Sequence, residues 1–140
     1  MNRDDVLAFL AAAFGSIAID SSLRDELVTI ISRSGFERNF FNLLLVRLKY
    51  LSEHGTAAVL YREGFESLSN KAEGIYSMRL IGKGFNIRIL YAFLPNGAPA
   101  LLLGFHERSG KRISSYGPHI PVAKARLKSL LEAYSHDESE

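Results

Sequence analysis

The sequence predicts an α+β fold, and three observations carry that prediction. Residues 74–109 alternate with period two in three segments separated by two glycine-bearing turns; the residues before them repeat apolar side chains at helical spacing; and a last helical stretch follows Pro118 and Pro121. N-terminal helices, a small antiparallel meander and a C-terminal helix amount to one α+β domain. At 140 residues the chain is large enough to bury a core within a single unit, residues 1–140, with residues 1–35 read as partly an N-terminal helical extension.

Taken in order, residues 6–19 (VLAFLAAAFGSIAI) form an apolar run, shorter than the roughly 20 residues a spanning helix needs. Asp4 and Asp5 precede it, which suits the first turn of a short amphipathic helix capped by Asn2 and does not suit a signal peptide. Ser22 with Asp25 three residues later offers the next cap, and Leu23, Leu27, Ile30 and Ile31 keep helical spacing to an end near Ser34 and Gly35. Residues 36–54 place Phe36, Phe40, Leu44, Leu48 and Leu51 on one face and end at Gly55, with Arg38, Arg47 and Lys49 on the rim. Residues 56–71 read as connection, with 57–61 open to either a helical turn or a strand. The last helix carries Ile120, Ala123, Leu127, Leu130 and Tyr134 at spacings of three and four, and the acidic end SHDESE reads as frayed.

The meander is the chemically informative part. Tyr76, Met78 and Leu80 share one face of the first strand, and Ser77 and Arg79 the other; Ile87, Ile89 and Tyr91 share one face of the second, and Asn86, Arg88 and Leu90 the other. A turn at Gly82, Lys83 and Gly84 sets Arg79 opposite Arg88, and Pro95, Asn96 and Gly97 make the second turn. Each arginine either lies across the solvent face, pairs with a carboxylate such as Glu73 or Glu107, or binds phosphate. Charge distribution favours an anionic partner: residues 71–112 hold seven basic and two acidic residues, a net +5, against −3 for the rest of a chain whose total is only +2.

With no cysteine, the chain has no disulfide framework, thiolate metal site or cysteine nucleophile, which fits a cytoplasmic setting. The four histidines show no metal-ligand spacing. His106 and His119 are the natural acid–base candidates, since imidazole titrates near neutrality, with Tyr116 and Lys111 behind them. Simple alternation puts His106 on the face of Ala100 and Leu102. His119, in YGPHIP, also reads as a loop histidine preceding the last helix.

IYSMRL, FNIRILYAF and PALLLGFHERSGKR, followed by the helix KARLKSLLEAY, resemble the RelE/ParE toxin superfamily, closest to its HigB-like, phage-derived branch, over roughly residues 36–133. The resemblance implies a toxin of a type II toxin–antitoxin system that cuts mRNA on the ribosome without a metal or other cofactor. It implies as partners the ribosome and mRNA, a cognate antitoxin of the helix-turn-helix kind, self-association within the antitoxin complex, and no membrane. On this resemblance Arg88 matches the phosphate-contacting arginine and Arg79 a functional basic position, and the catalytic set becomes Arg79, Arg88, His106, Tyr116 and His119. Lys83, Arg108, Lys111 and Arg112 are the RNA- or phosphate-binding candidates, with Glu107 an acid where the family tends to be basic. The same superfamily includes non-enzymatic toxins that block DNA gyrase, and an inactive antitoxin-binding module is the third alternative.

Overall fold

Helix α1 (Arg3–Phe14) starts at a capping box in which Asn2 accepts from the Asp5 amide and the Asp5 carboxylate faces back to the Asn2 amide. The computed structural model describes residues 1–107 and 116–139, and the chain continues through β1 (Ala18–Ile19), α2 (Ser21–Ile31), α3 (Glu37–His54), a 3₁₀ helix (Gly55–Leu60), β2 (Phe65–Ser67), β3 (Tyr76–Gly82), β4 (Phe85–Phe93), β5 (Pro99–His106) and α4 (Ile120–Ser139). The five strands form one sheet in the order β1-β5-β4-β3-β2. Strands β2 to β5 run antiparallel to their neighbours, and β1 lies parallel to β5. The fold is α+β, as the sequence predicts.

Strand alternation divides the core in two. Met78, Leu80, Ile87, Ile89, Tyr91 and Leu101 face α1, α2 and α3, while Leu90, Ala92, Leu102, Leu103 and Phe105 face α4 through Ile120 and Ala123. Val6, Leu10 and Phe14 of α1 and Leu23 and Leu27 of α2 are fully buried, so residues 1–35 contribute side chains to the main core. The Met1 ammonium reinforces this by pairing with Glu37 at 2.7 Å.

Several local expectations are corrected. The cap of α2 is Asp20, which accepts from the Ser22 amide, and the helix stops at Ile31. Within the region read as connection, the helical alternative for 57–61 holds as the end of the 3₁₀ helix, and the unexpected element is edge strand β2. The acidic end continues α4 as far as Ser139. Arg47 leaves the rim: it is buried, donates from Nε to the Arg79 carbonyl at 3.0 Å and lies over the Tyr61 ring.

The most consequential correction is a β-bulge. Leu90 pairs with Leu103 but Tyr91 pairs with Leu101, so Leu102 is an extra residue in β5 and side-chain alternation reverses beyond it. Gly104 then faces α2, where an added Cβ would come within 2.8 Å of Leu27 Cδ2. His106 pairs with Ile87 on that same side, not on the side of Ala100 and Leu102. Arg126 of α4 takes the Leu102 carbonyl at 3.0 Å and ties the bulge to α2 through Glu26 at 2.9 Å and Asp20 at 3.3 Å.

Candidate functional site

The site is assembled on the α4 side of β2, β3 and β4. A two-residue turn, with Gly84 at φ 87°, closes β3 onto β4 and brings Arg79 opposite Arg88. The Arg79 amide donates to the Gly64 carbonyl just before β2, so its backbone bonds point away from β4 and the two arginines form a non-hydrogen-bonded pair. In such pairs the side chains approach most closely, with Cα atoms about 4.5 Å apart. The register thus sets the two arginine side chains side by side at their roots, while Arg79 reaches toward Arg62 beside β2 and Arg88 toward Glu107 at the end of β5.

Their partners lie outside the pair. Arg88 is buried, and its Nε lies 3.9 Å from Glu107 Oε2, an ion pair too long for a hydrogen bond. Arg79 donates weakly from Nη1 to the Arg62 carbonyl at 3.4 Å. The Nε atoms of both arginines are buried without a hydrogen-bond partner among the described residues. Buried donors in this state represent unspent binding capacity for an anion.

Beside them, the Tyr116 hydroxyl sits 2.8 Å from Glu66 Oε1 and 3.0 Å from Ser77 Oγ. Glu66 and Ser77 are register partners across β2 and β3, and Ser77 shares its face with Arg79 two residues on. Burial pushes the Tyr116 phenol up to about 12; the Ser77 bond and the Arg88 charge oppose that rise and Glu66 adds to it. Tyr116 is therefore a neutral proton donor at physiological pH. His119 stacks on Phe105, with centroids 3.9 Å apart and planes at 14°, and Phe105 is the β5 partner of Arg88. Burial lowers the His119 pKa while Glu26 and Glu107 pull it back up, so its imidazole tends to the neutral form that can accept a proton.

Arg79, Arg88, Tyr116 and His119 are therefore brought to one side of the sheet. The bulge turns His106 to the α2 side, where it is exposed and its Nε2 accepts from the Asn86 amide at 3.4 Å, and where it lines one cleft at the β5 edge together with His119. Lys83 is exposed in the β3–β4 turn. Arg108, Lys111 and Arg112 lie outside the described residues. Glu66 and Ser77 were missed as members of the cluster. Ser77 had a legible signal, a small polar residue on the arginine face, whereas Glu66 stood in the stretch read as connection.

Among the described residues, no group of His, Cys, Asp and Glu is arranged to hold a metal ion, and no helix is long and apolar enough to cross a membrane. No protein-family model and no curated protein matches the sequence.

Proposed function

We propose that this chain is the toxin of a type II toxin–antitoxin system, acting as a ribosome-dependent mRNA endonuclease, with Arg79 and Arg88 holding the scissile phosphate. The observation that carries this reading is the opposed arginine pair, whose two buried Nε atoms make no hydrogen bond among the described residues. Phosphodiester cleavage through the ribose 2′-OH needs a base for the hydroxyl proton, cations for the charge gathering on the phosphorane oxygens, and a proton for the leaving 5′-oxygen. The O2′–P bond forms as the P–O5′ bond breaks. In this reading the guanidinium pair meets the second need, since it stays charged and matches phosphate oxygens geometrically. Neutral His119 accepts the 2′-OH proton, and the Tyr116 hydroxyl, whose proton otherwise bonds Glu66 or Ser77, passes it to the leaving oxygen when substrate displaces that bond. His106, which lines the same cleft as His119, is the alternative base.

The net charge of +2 is too small for strong binding to free RNA, so the ribosome supplies much of the positioning, and a cognate antitoxin would hold the protein in check. The test is tightly controlled expression in a bacterial host, with primer-extension mapping of a reporter mRNA for the native protein and Arg88→Ala. Cuts within translated codons that vanish in the variant are expected. Growth arrest without cuts would transfer the reading to gyrase inhibition, and neither effect would leave a binding module.

A further inference from the structure

At the β2 edge of this face lies a cleft of about 450 Å³ whose walls include Val59 and Leu60 from the 3₁₀ helix, Glu66 and Arg79 from the sheet, and Arg62. Leu60 is 81 % exposed, the most exposed large apolar side chain described. An apolar wall facing a carboxylate and two cations is the composition of a site for a flat, polar-edged ligand. The Glu66 carboxylate is held in place because Tyr116 bonds Oε1, yet an ionised carboxylate has about four lone-pair sites and keeps capacity for further donors.

Arg79 belongs to both the cleft and the arginine pair, so a phosphate seated between Arg79 and Arg88 places the base of an adjoining nucleotide at the cleft mouth. We propose that this cleft is a nucleobase subsite next to the scissile phosphate, with Glu66 as its specificity-determining residue and guanine as its preferred base. The assignment rests on the nuclease reading above. Guanine alone among the four bases presents two adjacent donors, N1–H and N2–H₂, on its Watson–Crick edge, and a single-stranded base is open to contact there. Uracil offers one donor flanked by two carbonyls that a carboxylate repels. Adenine and cytosine pair an amino donor with a ring acceptor that a carboxylate cannot serve. Val59 and Leu60 give the base an apolar surface to lie on, and Arg62 lies in reach of the flanking phosphate.

The experiment is to sequence all translation-dependent cut sites for the native protein, Glu66→Gln and Leu60→Asp, scoring the base distribution among the cuts that remain. Glutamine keeps an acceptor for Tyr116 but offers one donor and one acceptor to the base. We expect guanine enrichment of about tenfold at one position flanking the native cuts, the scale of one bidentate contact. We expect that enrichment to collapse in Glu66→Gln in favour of adenine or cytosine. Leu60 is on the surface, so Leu60→Asp tests the cleft independently of folding, and it should weaken the same enrichment. Native cuts with no base preference there, or a preference unchanged in both variants, would overturn the subsite while leaving the nuclease intact. Absence of native cuts would overturn the nuclease reading and the subsite with it.

Discussion

Arg79 and Arg88 face each other across the β3–β4 ladder as a non-hydrogen-bonded pair, the closest arrangement two residues on neighbouring antiparallel strands can adopt. Like charges set directly opposite destabilise a sheet, and burial of Arg88 sharpens the cost by excluding water that would screen it. The Arg47 bond fixes the Arg79 backbone, and the Arg62 carbonyl and Glu107 draw the two guanidinium heads to opposite sides, which eases the repulsion between them. Stability is surrendered where anion binding could recover it.

That strain is measurable in a double-mutant cycle. Arg79→Met or Arg88→Met each relieves the same repulsion while keeping an unbranched stem, so the double variant should gain less than the sum of the single effects. A repulsive coupling of about 0.5 kcal/mol is expected from urea unfolding, which is within the range of cross-strand pairs. An attractive coupling would mean that another group already bridges the two guanidinium ions. Inorganic phosphate or an oligonucleotide should stabilise the native protein and not the double variant.

Tyr116→Phe removes the hydroxyl shared by Glu66 and Ser77 and leaves Ser77 buried with one fewer partner. The expected loss is about 1–3 kcal/mol in unfolding free energy, the scale for stranding a buried polar group. The phenol also titrates visibly. Its folded pKa is raised to about 12 from 10.0, so its stabilising contribution is whole below pH 10.0 and is lost as pH rises through about 12. Tyrosinate absorbance in the native protein should show a late-titrating group that Tyr116→Phe removes; an unchanged alkaline titration would refute the burial argument.

What the sequence made legible and what it hid follow from the range of the interactions involved. The β3–β4 hairpin, its turn and the Arg79–Arg88 opposition could be read because alternation and glycine placement are local signals. The face of His106 could not, because one extra residue at Leu102 inverts the alternation and nothing in PALLLGFH marks the bulge. Strand β1 is two residues long and exists only by pairing with β5. Glu66 was hidden for a similar reason: three residues of edge strand carry too little pattern to be recognised before β3 is placed beside them.

His119 yields a prediction on the acid side. Packing on Phe105 lowers its pKa from 6.5, so the folded protein favours neutral imidazole while the unfolded chain takes up a proton first as pH falls. Its contribution to stability is present above pH 6.5 and is lost as pH falls through the lowered folded value. Glu26 and Glu107 reduce the size of the effect without reversing it. Urea midpoints measured from neutral to mildly acid pH should fall less steeply in His119→Phe, which keeps a ring over Phe105 but has no proton to gain. Parallel profiles would show that His119 is not the group responsible.

Arg126 offers the sharpest test of how the α4 layer is held against the rest. Its Nη1 donates to the Leu102 carbonyl and to Glu26, whose Oε1 also accepts the Gly104 amide at 3.2 Å, and its Nε faces Asp20, the cap of α2. One guanidinium therefore satisfies the bulge carbonyl and joins helices from opposite sides of the sheet, and the Glu26 bond raises its own pKa. Its side chain is 19 % exposed, so water screens these bonds only in part. Arg126→Gln should cost about 2 kcal/mol in urea unfolding, the scale of hydrogen bonds to charged groups. Arg126→Lys should recover less than half of that, because a single ammonium cannot reach three acceptors in the geometry of a planar fork. Full rescue by lysine would reduce the clasp to charge alone, whereas failure to rescue, with faster amide exchange at Gly104, would establish that the fork itself pins β5 at its bulge and fixes the side of the sheet on which Phe105 lies opposite Arg88 and carries His119.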